Sequence, residues 1–120
     1  VVKFLLGEVE AGRLPESIGP IQSGVGSVGN AVLSGLAKSG LRHLMMYTEV
    51  MQDAAFGLLE TGVLDFVSTS SVALCEDSRK RFYDHIEDFR SRIVIRPNEV
   101  SNHPEVIRRL GVIALNTPID

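Results

Sequence analysis

The chain has 120 residues, enough to bury one core, and its 44% hydrophobic and 22% charged content is that of a globular domain. A net charge of −3, with no basic run longer than Arg79-Lys80-Arg81, argues against a nucleic-acid partner. No apolar run approaches the roughly 20 residues needed to span a bilayer, and the single cysteine, Cys75, excludes an intrachain disulfide framework.

Residues 1 to about 12 predict an amphipathic helix with Val1, Phe4, Leu5 and Val9 inward and Lys3, Glu8 and Glu10 outward, stopped by Gly12 and Pro15. This opening lacks the pattern of a signal peptide. With no initiator Met and no cap ahead of Val1, it is expected to be a piece of a longer protein. Pro20-Ile21-Gln22 is a short extended run. Ser23 to Gly29 then interrupts the apolar pattern with three glycines, and Ala31, Val32, Leu33, Leu36 and Ala37 recur at helical spacing up to Gly40. His43 to Tyr47 has strand length, and Thr48-Glu49 closes it. Strand, glycine loop, helix and strand within about 30 residues make a βαβ unit. Such a unit brings the loop and the end of its second strand to one edge of a parallel sheet, the edge where open α/β sheets take ligands.

Asp53 to Thr61 predicts a helix capped by Asp53, with Ala55, Phe56, Leu58 and Leu59 on its apolar face and Gly62 after it. Leu64 to Ser68 alternates as a strand, and Thr69-Ser70-Ser71 reads as a polar turn. Cys75 is expected as a small buried side chain, its neighbours Glu76 and Asp77 giving no support to a reactive thiolate. Asp77 or Ser78 can cap a helix to about Phe89, with Phe82, Ile86 and Phe89 inward. Both short basic runs, the second being Arg108-Arg109, fall in predicted helices as solvated faces. Arg92 to Arg96 is a β-branched strand stopped by Pro97. Ser101 or Asn102 caps a helix from Glu105 to Leu110, and Val112 to Leu115 forms a last buried strand before Asn116. The order α-βαβ-αβ-αβ-αβ predicts an α/β fold: a mostly parallel sheet flanked by helices, in one domain.

The loop spacing Gly24-x-Gly26-x-x-Gly29 matches the dinucleotide fingerprint, and Glu49, 20 positions beyond Gly29, stands where that fingerprint wants an acid. The same glycines suit any phosphate- or ligand-binding loop at a helix N-terminus, or close helix–sheet packing alone. Glu49 lies among Met45, Met46, Tyr47, Val50 and Met51. It either reaches solvent as an ordinary strand-end carboxylate or sits in an apolar pocket where it could act as a nucleophile. His43, His85 and His103 are scattered, so no metal site is expected. No G-x-S-x-G elbow supports a serine hydrolase.

The runs GRLPESIGPIQSGVGSVGNAVLSGL, YTEVMQD and SNHPEVIRRLGVIALNTPID closely resemble the acetyl-CoA hydrolase / CoA-transferase family, in particular its succinyl-CoA:acetate CoA-transferase branch. The resemblance covers essentially the whole chain. It implies a Rossmann-like but incomplete fold in which residues 1–120 are the central part of the C-terminal domain of a two-domain enzyme about four times longer. It also implies an enzyme that moves CoA between acetyl- or succinyl-CoA and a carboxylic acid, with acyl-CoA hydrolysis where water reaches the intermediate. The family's nucleophilic glutamate, in a T/S-E-[V/M] segment, falls on Glu49, which would carry a glutamyl-CoA thioester. Gly24, Val25 and Gly26 would frame the oxyanion and the CoA arm, with the Val25 N–H as donor. Gly29 and Asn30 match the GNAV segment at the helix start, and Asn102 in SNHPE matches a position near bound CoA, beside its alternative as a helix cap. CoA is implied as substrate, with no tightly bound cofactor and no metal. The implied partners are acyl-CoA, short carboxylic acids and the rest of the two-domain enzyme, with homodimerisation open. No membrane partner is expected. The implied setting is the cytoplasm, or the mitochondrion in a eukaryote. The family completes its site with a glycine-rich loop downstream of NTPID, where this sequence stops, so the piece alone is expected to be inactive. The alternative is a nucleotide-binding or purely structural α/β module without covalent chemistry.

Overall fold

The computed structural model describes residues 1–115; the NTPID motif, residues 116–120, lies outside them. The chain runs α1 (Val2–Glu10), β1 (Ile21–Ser23), α2 (Ser27–Ala37), β2 (Leu44–Tyr47), β3 (Val50–Gln52) and α3 (Asp53–Glu60). It continues through β4 (Leu64–Thr69), β5 (Ser71–Ala73), α4 (Glu76–Asp84), α5 (Ile86–Phe89), β6 (Ile93–Ile95), α6 (Asn98–Ser101), α7 (Pro104–Leu110) and β7 (Ile113–Leu115). Five strands form one parallel sheet in the order β6-β4-β2-β1-β7. From β1 the chain steps outward through β2, β4 and β6, then returns to lay β7 on the other side of β1. The strand order therefore reverses between β1 and β7, and the crevice beyond the carboxyl ends of these strands is the favoured ligand position in such sheets. The expected α/β fold, a mostly parallel sheet flanked by helices, is the fold observed.

Alternation along β2 sets the two faces. Leu44 and Met46 are buried while Met45 is exposed. Leu44, Met46 and Ile21 join Leu33 and Leu36 of α2 and Phe56 and Leu59 of α3 in the main core. Phe56 anchors the outer side, its ring 5.0 Å from Phe89 and 6.0 Å from Phe82. The opposite face, carrying Met45, Tyr47 and Phe66, is roofed by α6 and α7. An apolar groove of about 350 Å³ runs between them, lined by Met45, Phe66, Val100 and Leu110. Arg92 closes the far end of α3 by donating to the carbonyls of Leu59 at 2.9 Å, Leu64 at 2.7 Å and Asp65 at 3.2 Å.

Several local expectations are corrected. In α1 the inward stripe is Val2, Leu5 and Val9, at i, i+3 and i+7; Phe4, about 100° off that line, is 67% exposed, as is Val1 ahead of the first turn. Asp53 does not cap α3. Gln52 occupies the cap position, and the Asp53 carboxylate reaches across to the Cys75 N–H at 3.1 Å. Cys75 is exposed rather than buried, because it precedes α4 outside the core. The helix expected to run to Phe89 breaks at His85, and Ile86 turns outward. The polar run after Leu64 is not a simple turn: Thr69 ends β4 fully buried, and Ser71 opens β5. β5 pairs in parallel with β3 in a separate two-stranded sheet.

Candidate active site

Glu49 sits at a corner. β2 leaves the large sheet after Tyr47, and the chain resumes two residues later as β3 of the small sheet. Its neighbour β4 makes the same step at Ser70. The two steps are stitched together at a single carbonyl. The Glu49 oxygen accepts from the Ser70 N–H at 2.9 Å, the Ser71 N–H at 3.1 Å and Thr69 Oγ1 at 2.9 Å. On the other side Thr48, itself buried, donates its N–H to the Ser68 carbonyl at 2.9 Å and its hydroxyl to the Ser23 carbonyl at 3.1 Å. Glu49 is thus held at the carboxyl edge of the sheet, one residue from a direct tie to the start of the glycine loop.

Glu49 lines a cavity of about 260 Å³ together with Gln22, Tyr47, Ser101, Asn102, Ile107, Val112 and Ala114. These residues come from β1, β2, α6 and its C-terminal end, α7, and β7 with the residue before it, so the cavity lies against the crevice at the strand-order reversal. Glu49 itself is exposed in this segment. Tyr47 fixes the roof, its hydroxyl donating to the Val100 carbonyl at 2.6 Å. Asn102 follows α6 directly, and His103 rather than Asn102 or Ser101 caps α7, its Nδ1 accepting from the Glu105 N–H at 3.3 Å. Asn102 therefore joins Glu49 in the cavity wall without the capping role expected as its alternative.

The glycine loop occupies the same edge but not the cavity wall, which includes none of Gly24, Val25, Gly26, Gly29 and Asn30. Each of these has its own local role. Gly24 donates its N–H to the Leu115 carbonyl at 3.3 Å, tying the loop to the end of β7. Val25 is 68% exposed at the loop tip. Gly26, at φ 145°, caps α2 in a backbone conformation that side chains disfavour. Gly29 is buried where a Cβ would come within 2.5 Å of Ser23 Oγ and 2.7 Å of the Gly24 carbonyl, so its need for glycine is close helix–strand packing. Asn30 is exposed, with its N–H bonded to the Gly26 carbonyl at 3.2 Å.

Gln22 and Tyr47 appear in the sequence only as strand residues, although alternation puts both on the face opposite Ile21 and Met46. The Thr69–Ser71 latch carried no motif at all. Among the described residues no three His, Cys, Asp or Glu side chains group as metal ligands, and no helix is long and apolar enough to cross a membrane.

No family model matches the chain. Individual proteins do. Over 120 residues it is 46% identical to an acetyl-CoA hydrolase of Yarrowia lipolytica, with all of this chain and 23% of that protein aligned. It is 48% identical over 120 residues to a succinyl-CoA:acetate CoA-transferase of Clostridium kluyveri, again along its full length and covering 22% of that protein. Along its whole length the chain is related to acetyl-CoA hydrolases and CoA-transferases. It spans about a quarter of the length of these relatives. A solved 4-hydroxybutyrate CoA-transferase from Porphyromonas gingivalis shares the fold, with a TM-score of 0.68 at 22% identity over 92% of this chain and 29% of that one. The α/β architecture of that solved chain is thus shared by a segment that holds the corner, the cavity and the glycine loop together.

Proposed function

We propose that the protein containing this segment exchanges CoA between an acyl-CoA and a carboxylic acid, with Glu49 as the nucleophile. The observation that carries the reading is the presence of an exposed carboxylate, anchored by its own backbone and sharing a cavity with Asn102, in a segment nearly half identical to acetyl-CoA hydrolases and CoA-transferases. Residues 1–120 are read as the central part of the C-terminal domain of that longer enzyme.

The chemistry follows from one carboxylate. A Glu49 oxygen attacks the thioester carbonyl, the C–S bond breaks, and CoA thiolate leaves behind a mixed anhydride. The thiolate then attacks the glutamyl carbonyl, expelling the first acid as its carboxylate and leaving a glutamyl-CoA thioester. A second carboxylate attacks that thioester and displaces the thiolate, which takes the new acyl group from the anhydride and restores Glu49. Splitting the exchange in this way replaces one difficult transfer with easier steps. Each tetrahedral centre needs a hydrogen-bond donor at its oxyanion. The Val25 N–H at the exposed loop tip is assigned that role on the strength of the family resemblance, with Gly24 and Gly26 leaving room for the CoA arm. Gly29 and Asn30 hold the start of α2 beside it, and Asn102 binds the substrate from the α6–α7 roof. Water reaching either intermediate turns exchange into hydrolysis. The segment alone is assigned no activity, since its relatives are about four times longer.

The test uses the full-length protein. Incubation with acyl-CoA followed by borohydride, which reduces a thioester to the alcohol, should modify the peptide containing Glu49. Glu49→Gln should lower exchange by at least about 10³-fold, as loss of a nucleophile does, while leaving the fold intact. Full exchange activity in that variant, or a modification on another peptide, refutes the assignment.

A further inference from the structure

The corner that carries Glu49 is held from below by a residue outside the cavity wall. Thr69 is fully buried at the end of β4, and its single hydroxyl proton is shared between the Glu49 carbonyl at 2.9 Å and the Ser71 carbonyl at 2.8 Å. The Glu49 carbonyl also takes the N–H groups of Ser70 and Ser71. Three donors on one carbonyl are more than the two lone pairs of a peptide oxygen require. They converge on the second of the two residues, Thr48 and Glu49, by which β2 passes from the large sheet to the small one, so the latch fixes the peptide plane following Glu49. The Cα–Cβ direction of the side chain is set by that backbone, and a displacement of about 1 Å at a reacting group can cost on the order of 10²-fold in rate.

We propose that Thr69 is a positioning residue for Glu49: its hydroxyl locks the carbonyl of the nucleophile's own peptide and so aims the carboxylate at the acyl carbon. This rests on the reading of Glu49 as nucleophile. A hydroxyl serving only the fold would influence stability; one that aims the carboxylate acts on the chemical step.

The test is made in the full-length enzyme with Thr69→Val, which keeps the shape and removes the hydroxyl, and Thr69→Ser, which keeps the hydroxyl. Thr69→Val is expected to lower kcat by roughly 10- to 100-fold with KM for acyl-CoA changed less than about threefold. It should also slow appearance of the borohydride-trapped Glu49 peptide in a single turnover by the same factor. Thr69→Ser should restore most of the rate. Should the buried site refuse valine, Thr69→Cys, small but a poor donor, is expected to show the same loss. Wild-type kcat and trapping rate in a folded Thr69→Val or Thr69→Cys protein would overturn the proposal, as would a loss that Thr69→Ser shares in full. Glu49→Gln separates the two readings. If it is inactive while Thr69→Val is fully active, only the positioning role fails. If it retains exchange, the nucleophile reading itself fails.

Discussion

A methyl group added at Gly29 would meet Ser23 Oγ at 2.5 Å and the Gly24 carbonyl at 2.7 Å. The serine hydroxyl can swing away, but the carbonyl belongs to the loop backbone and can yield only if α2 lifts from β1. Gly29→Ala is therefore expected to cost about 1–3 kcal/mol, the usual range for overpacking, seen as a lower urea midpoint of the intact protein. On the proposed function it should also weaken binding of CoA, because the displaced segment is the loop itself. The glycine spacing was plain in the sequence, yet its meaning was not. G-x-G-x-x-G fitted phosphate binding, dinucleotide binding and packing alike, and only the distance from Gly29 to the neighbouring strand assigned that glycine to packing. Glu49 was legible as a strand-end acid for the opposite reason: a lone charge closing an apolar run has few places to go. Its anchoring was not legible, because a Thr69 hydroxyl and the backbone N–H groups of Ser70 and Ser71 supply it from some 20 residues away.

At the scale of elements, the sequence located most helices and strands but not how they begin. Asp53 looks like a cap for α3, yet its carboxylate accepts from the Cys75 N–H and so ties the start of α3 to the start of α4. Hydrogen bonds from the Ser78 side chain, and then from Cys75, hold its carboxyl below the ordinary value of 3.8. A depressed carboxyl favours the folded state above the unfolded pKa and loses that contribution as pH falls through the folded one. Asp53→Asn should thus lower stability near neutral pH by about 0.5–1 kcal/mol, a small effect because the exposed group is screened by solvent. The gap between variant and wild type should close below about pH 4, which melting temperatures measured across pH 2–7 would reveal. The small β3–β5 sheet was not legible because its three-residue strands, Val50–Gln52 and Ser71–Ala73, abut Glu49 and a polar run and lack the β-branched or apolar runs that marked the other short strands. His103 was overlooked as a cap because Ser and Asn are the commoner choices and both stand just before it.

For the molecule as a whole, stability rests on the face covered by α2 and α3, where Phe56, Leu36, Leu44 and Val67 are fully enclosed. Phe56→Ala removes the ring that Phe82 and Phe89 pack against. It is expected to cost about 3–5 kcal/mol, a large share of a domain's net stability, measurable by denaturant titration of the intact protein. The stitched corner has another consequence. The peptide of Glu49 is pinned by residues 20 to 22 positions onward, and its neighbour Thr48 by Ser23, 25 positions back. No single hairpin or helix can supply those partners, so the acid acquires its orientation only once three distant stretches of chain have met. If Glu49 is the nucleophile proposed above, chemical competence is a late product of assembly, and a half-folded molecule carries the glutamate without the means to use it.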